Sequence, residues 1–137
     1  MGSLSRSEYE HYLYVLLPQH PQVVRATLRL FTNSATTSIV RGQIELNNGL
    51  VIQVFEYIDL ADETFLEYSY AVYEGEEKIR WYDAQPHPEN LTLKPTFPHH
   101  FHSSPDIKHN RQPAHGISFN QPNLPAIIAD CLALSNG

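Results

Sequence analysis

Only one cysteine, Cys131, stands in the 137-residue chain. That scarcity excludes an internal disulfide framework and a Cys-rich zinc site. No apolar run approaches the ~20 residues that a membrane helix needs. The opening stretch MGSLSRSEYE lacks the basic start and apolar core of a secretory signal. There is no glycine-rich phosphate loop and no Gly-x-Ser-x-Gly elbow, so Rossmann, P-loop and hydrolase-elbow chemistry have no support. Basic residues are few as well. The formal charge of -6 argues against indiscriminate nucleic-acid binding over the whole surface. These absences lead us to expect a cytoplasmic protein, one domain over residues 1–137, with no membrane contact.

The residues present are those of a globular chain, 42% hydrophobic and 11% aromatic. Over residues 5–17, Tyr9, Tyr12, Leu13, Leu16 and Leu17 follow a helical stripe. Ser5 with Glu8 three residues later fits a capping box, and Pro18 ends the pattern. From Val23 the period falls to two, with Val24, Ala26, Leu28 and Leu30 alternating with Arg25, Thr27 and Arg29. Further strands are expected at 38–46, 50–58, 64–73 and 78–82, the second hairpin turning at Asn47-Asn48-Gly49. Together they predict an antiparallel five-stranded β-meander over about 22–82. The outward arginines Arg25, Arg29 and Arg41 read as a solvated face, with a phosphate-contacting stripe as the alternative.

Periodicity then stops for about forty residues. Seven of the ten prolines fall between 86 and 122, and six of the eight histidines between 87 and 115. Phe97, Phe101, Ile107, Ile117 and Phe119 offer anchors, so 83–122 reads as a long ordered His/Pro-rich loop wrapped on the sheet. A C-terminal helix follows over 123–134, with Asn123 as cap and Cys131 as a buried apolar thiol. The fold class expected is therefore α+β, a meander flanked by an N-terminal and a C-terminal helix.

Within the loop, TFPHHFH carries three imidazoles. In extended chain His100 and His102 share a side and His99 points away. The pair could chelate a metal with His87, Asp83 or His109 as third ligand, although fixed zinc spacings are missing. Acid–base work is the second option, because histidine titrates near neutrality. Metal-independent RNA cleavage needs a base, an acid and cations, and no cofactor. Here His99, His100 and His102 would be the acid/base group, with Asp83 and His87 supporting. Arg80, Lys94, Lys108, His109 and Arg111 would meet phosphates, while Tyr82 or Trp81 stacks on a base. A third option is a proline-ordered loop whose histidines bond backbone carbonyls and seal the sheet.

The run RWYDAQPHPENLTLKPTFPHHFH, followed by PDIKHNRQPAHGISFNQPNLP, resembles the TumE family of toxin–antitoxin proteins. The matching positions are Tyr82, Asp83, Pro86, His87, Pro88, Pro98, His99, His100, His102, Lys108, His109 and Arg111. The family's usual lysine between the last two histidines of the motif is replaced by Phe101, which removes a cation from any phosphate site there. The resemblance implies a small cytosolic prokaryotic toxin, encoded beside a helix-turn-helix antitoxin and acting on RNA. The expected function is that of a type II toxin and metal-independent endoribonuclease. Its expected partners are the cognate antitoxin, RNA and, in a homodimer, a second copy. The alternatives are a non-enzymatic RNA- or protein-binding module and a His-ligated metal-binding protein.

Overall fold

The structure is a computed structural model and describes residues 3–134. Eight antiparallel strands form one sheet: β1 (Val23–Ala26), β2 (Arg29–Thr32), β3 (Thr37–Leu46), β4 (Leu50–Asp59), β5 (Thr64–Glu74), β6 (Glu77–Asp83), β7 (His100–Ser103) and β8 (Arg111–Pro113). Their order is β1-β3-β4-β5-β6-β7-β8, with β2 also paired to β3. The α+β class is as expected, but the five-stranded meander is not. Two additions account for the difference.

The first predicted strand is split. Thr27 and Leu28 leave the ladder, so that β1 and β2 pair successive parts of β3. Leu28 drops into the core, 2% exposed, over Gly42. A Cβ on Gly42 would sit 2.6 Å from the Thr27 carbonyl oxygen, and its φ of +144° suits glycine alone. A register shift between Val23 and Arg25 also turns Val24 outward, 66% exposed.

The second addition lies in the His/Pro segment. It contains a 3-10 turn over Leu91–Thr96, and then β7 and β8 extend the sheet beyond β6. His100-Phe101-His102-Ser103 alternates buried and half-buried positions. Imidazoles hold the sites where a strand pattern would show apolar residues, which concealed it.

The N-terminal helix α1 (Arg6–His11) is capped by Ser5, whose Oγ accepts the Glu8 N–H. A π-turn over Tyr12–Leu16 and a 3-10 turn over Leu17–Gln19 continue it. The wider π-turn changes the phase of the stripe. Tyr9, Tyr12, Leu13 and Leu17 stay buried, while Leu16 is 44% exposed. The C-terminal helix α2 (Leu124–Leu134) buries Leu124, Ile127, Ile128 and Cys131. Asn123 precedes it, but its side chain clamps the Ser118 backbone and reaches the Tyr70 hydroxyl. Burial pushes the Cys131 thiol up to about 12, which suits an inert apolar role.

One sheet face carries the core, built from Val40, Ile44, Ile52, Val54, Tyr70 and Val72 with the helical segments packed against it. A carboxylate sits inside it. Glu56 is fully buried and accepts hydrogen bonds from the Tyr9 and Tyr70 hydroxyls, each at 2.5 Å. Burial pushes its pKa up to about 7, against the lowering effect of both tyrosines.

Candidate acid–base cluster

Strand β6 ends Trp81-Tyr82-Asp83, and β7 returns beside it with His102 opposite Trp81 and His100 opposite Asp83. The period of two sends Tyr82 and Phe101 to the helix-bearing face, where their rings meet at 5.6 Å. Trp81, Asp83, His100 and His102 take the other face. The antiparallel register thus brings together two histidines and an aspartate that are far apart in sequence.

The contacts are close. His100 Nε2 lies 2.7 Å from Asp83 Oδ1, and His102 Nε2 lies 3.3 Å from Asp83 Oδ2. The two Nε2 atoms are 3.2 Å apart. His100 Nδ1 points at the Pro98 carbonyl at 3.1 Å. A carbonyl can only accept, so Nδ1 carries hydrogen, and Nε2 must carry another to bond a carboxylate. His100 is then an imidazolium paired with an anionic Asp83. Burial opposes its charge, but the carboxylate and the carbonyl raise its pKa above the ordinary value despite nearby Arg111. Burial would also raise the Asp83 carboxyl. Hydrogen bonds from His100 and His102, the charge on His100 and the Gln85 N–H hold it well below the usual range.

His102 stacks on Trp81, centroids 4.7 Å apart. Its Nε2 faces Asp83, and its Nδ1 is buried and unpartnered. Arg111 is its neighbour across the β7–β8 ladder, and Arg111 Nε is likewise buried without a partner. A histidine ring nitrogen and a cationic donor thus stand unpartnered on adjacent strands. Such orphans in a folded protein call for a ligand or water.

The cluster is shielded. The His100 and His102 side chains are 0% and 4% exposed and Asp83 is 12%. His87 packs edge-on against His100 at 5.1 Å. Asp83 borders a cavity of about 410 Å³ that Tyr68, Ser69, Trp81 and Gln85 also line.

The other expected site residues lie elsewhere. His99 points away, with Nδ1 on the Tyr68 hydroxyl and its ring 4.5 Å from Phe119. Burial and then the charge on His100 lower its pKa, which suits a neutral structural ring. Arg80 and Tyr82 face α2, where Tyr82 donates to Asp130 at 2.6 Å and Arg80 lies 3.6 Å from the same carboxylate. Lys94, Lys108 and His109 are exposed, and His109 contacts Asp106 at 3.2 Å. Of the expected phosphate contacts, Arg111 alone adjoins the cluster. Sequence reasoning missed Ser69, whose Oγ accepts the Trp81 indole N–H at 2.9 Å. It also missed Glu56, although Glu56 shares the inward parity of Ile52, Val54 and Ile58.

The family model described as Toxin TumE matches residues 13–134. No curated protein and no solved structure matches the chain.

Proposed function

The chain belongs to the TumE toxin family, and from that premise we propose that it arrests growth by cutting RNA at the Asp83, His100 and His102 cluster. The orphaned pair of His102 Nδ1 and Arg111 Nε beside a charged His100 carries this reading. In it, His102 Nδ1 takes the proton of a ribose 2′-hydroxyl as that oxygen attacks phosphorus. Arg111 faces the charge that builds on the phosphorane. His100 gives its Nε2 proton to the departing 5′-oxygen, leaving a 2′,3′-cyclic phosphate. Asp83 positions both rings, and His87 keeps water from His100. The protein works in the cytoplasm without a metal, held in check by a cognate helix-turn-helix antitoxin in a type II pair. No helix among the described residues is long and apolar enough to cross a membrane.

Growth assays test this reading. Expression of the chain without its antitoxin halts growth, and the His100→Ala/His102→Ala double variant does not, while keeping its circular dichroism. A double variant that stays fully toxic sinks the assignment.

The donor geometry also favours a second reading. Both Nε2 atoms and an Asp83 oxygen lie mutually within 4.8 Å. Donors arranged tetrahedrally about a zinc ion, with bonds of about 2.0 Å, stand about 3.3 Å apart. The His100 Nδ1–H bond to a backbone carbonyl is the usual support of a ligating histidine. Elemental analysis of a tag-free preparation separates the two readings. A metal-free sample that still cuts RNA removes the second.

A further inference from the structure

Beyond the shielded cluster, the side chains on the face of the sheet away from the helices are ordered by charge and ring. Arg29 in β2 stands directly opposite Arg41 in β3. Like charges at such positions destabilise a sheet. Among the described residues neither arginine has an ion pair. Arg41 leans over Phe55, its guanidinium carbon 5.2 Å from the ring centre. Phe55 pairs with Ser69, Ser69 holds the Trp81 indole, and Trp81 stacks on His102. Lys78 completes the set, 5.2 Å above the Trp81 ring.

A line of cations and aromatic faces thus runs from the β2–β3 edge to the acid–base cluster. From β3 to β7 it spans four strand spacings, about 19 Å. Its middle is a shallow depression of about 240 Å³, floored by Ala71 and bordered by Phe55, Tyr73, Lys78 and Trp81. Ser69 and Trp81 also border the larger cavity that reaches Asp83, so the two adjoin at these residues. The second row, Gln43–Gln53–Ala71–Trp81, joins register partners and contains no charge. Glu45 and Glu67, the acidic residues on this face of β3 and β5, lie outside both rows, and Glu67 borders the larger cavity on the side away from Trp81's row.

We propose that this face is the substrate platform. A single-stranded RNA segment lies across the strands, with bases on Phe55 and Trp81 and phosphates on Arg29, Arg41 and Lys78. The inference rests on the RNA reading above and adds the form of the substrate and the residues that hold it. Unpaired bases are required because only a base with a free face can replace a cation on the Phe55 or Trp81 ring, and a duplex keeps its base faces stacked inside. In the free protein Arg41 and Lys78 cover these rings. Bound RNA moves the cations to its phosphates and puts bases in their place. The stack of Trp81 on His102 then sets the scissile bond beside the cluster.

Trp81 is the only tryptophan, so its fluorescence reads the platform directly. The probe is an uncleavable 2′-O-methyl oligouridylate. Titration quenches the indole, and Phe55→Ala weakens binding about ten-fold. Arg29→Gln with Arg41→Gln weakens it further and reduces the salt dependence by about 1.4 in log–log slope. These positions are exposed or half-exposed, and thermal melts confirm that each variant folds. A duplex probe binds at least about ten-fold more weakly than the single strand.

Absence of quenching overturns the platform, as does quenching that survives both sets of substitutions. Equal affinity for duplex also overturns it, and so does protection of the face by an acidic protein partner but not by RNA. Cleavage by a protein that shows no quenching refutes the platform and leaves the catalytic reading intact. Quenching that responds to Phe55→Ala without any cleavage supports the platform and refutes the catalytic reading alone.

Discussion

His100 shows how a single proton inventory determines chemistry. Its two ring nitrogens face a carbonyl and a carboxylate, and only an imidazolium satisfies both. At neutral pH the ring ¹⁵N shifts of His100 are therefore those of a doubly protonated histidine, and in Asp83→Asn they become those of a neutral ring. The same substitution lowers RNA cleavage about a hundred-fold, the usual loss when a general acid is disarmed. A neutral His100 in the unsubstituted protein contradicts this inventory. Glu56 poses the complementary case of a buried carboxyl. Its pKa rises from the ordinary 4.5 to about 7, so the stabilisation it gives is full below pH 4.5 and is lost as pH rises through 7. The loss amounts to roughly 3 kcal/mol. Urea melts across that range show the decline, and Glu56→Gln flattens it. A decline that persists in the variant belongs to another group. At this scale the sequence disclosed which residue types matter and only part of their arrangement. That His100 and His102 share a side was legible from the parity of an extended chain, while Asp83 stood only as one of three candidate third ligands or as a supporting residue. The separation of His99 toward Tyr68 followed the same rule, whereas the inward turn of Tyr82 and Arg80 onto Asp130 depends on a helix more than forty residues away.

Among the elements, the long hairpins were readable because apolar alternation and the Asn47-Asn48-Gly49 turn agree. The break between β1 and β2 was not, because Leu28 continues the alternation while its backbone leaves the ladder. Gly42 carries the evidence for that crossing, since only a residue without Cβ admits the Thr27 carbonyl. Gly42→Ala accordingly destabilises the fold by about 3 kcal/mol in urea melts, from strain and backbone overlap together. A loss below ~1 kcal/mol means that β1 and β2 cross elsewhere. Strands β7 and β8 were hidden for a different reason. Their outward positions hold imidazoles and Arg111 in place of apolar residues, and the prolines around them imitate a loop. The segment that looked least regular thus supplies both the extension of the sheet and two members of the cluster.

On the scale of the whole molecule, a net charge of -6 sits poorly with an RNA substrate unless the charges are segregated. The outer sheet face gathers Arg29, Arg41, Lys78 and Arg111, with Glu45 and Glu67 outside the rows that join them to the cluster. The helices cover the face that holds the core and leave the second face without a helix. The sequence hinted at this face through its outward arginines, but five strands had to be placed side by side before they joined the histidines. The most direct test uses purified protein, RNA and a chelator in one tube. RNA is shortened by the unsubstituted chain and ends in cyclic phosphates, and it stays intact with the folded His100→Ala/His102→Ala variant. Cutting by that variant at the unsubstituted rate, or intact RNA with the unsubstituted chain under every metal condition, contradicts a cleavage centre at Asp83, His100 and His102.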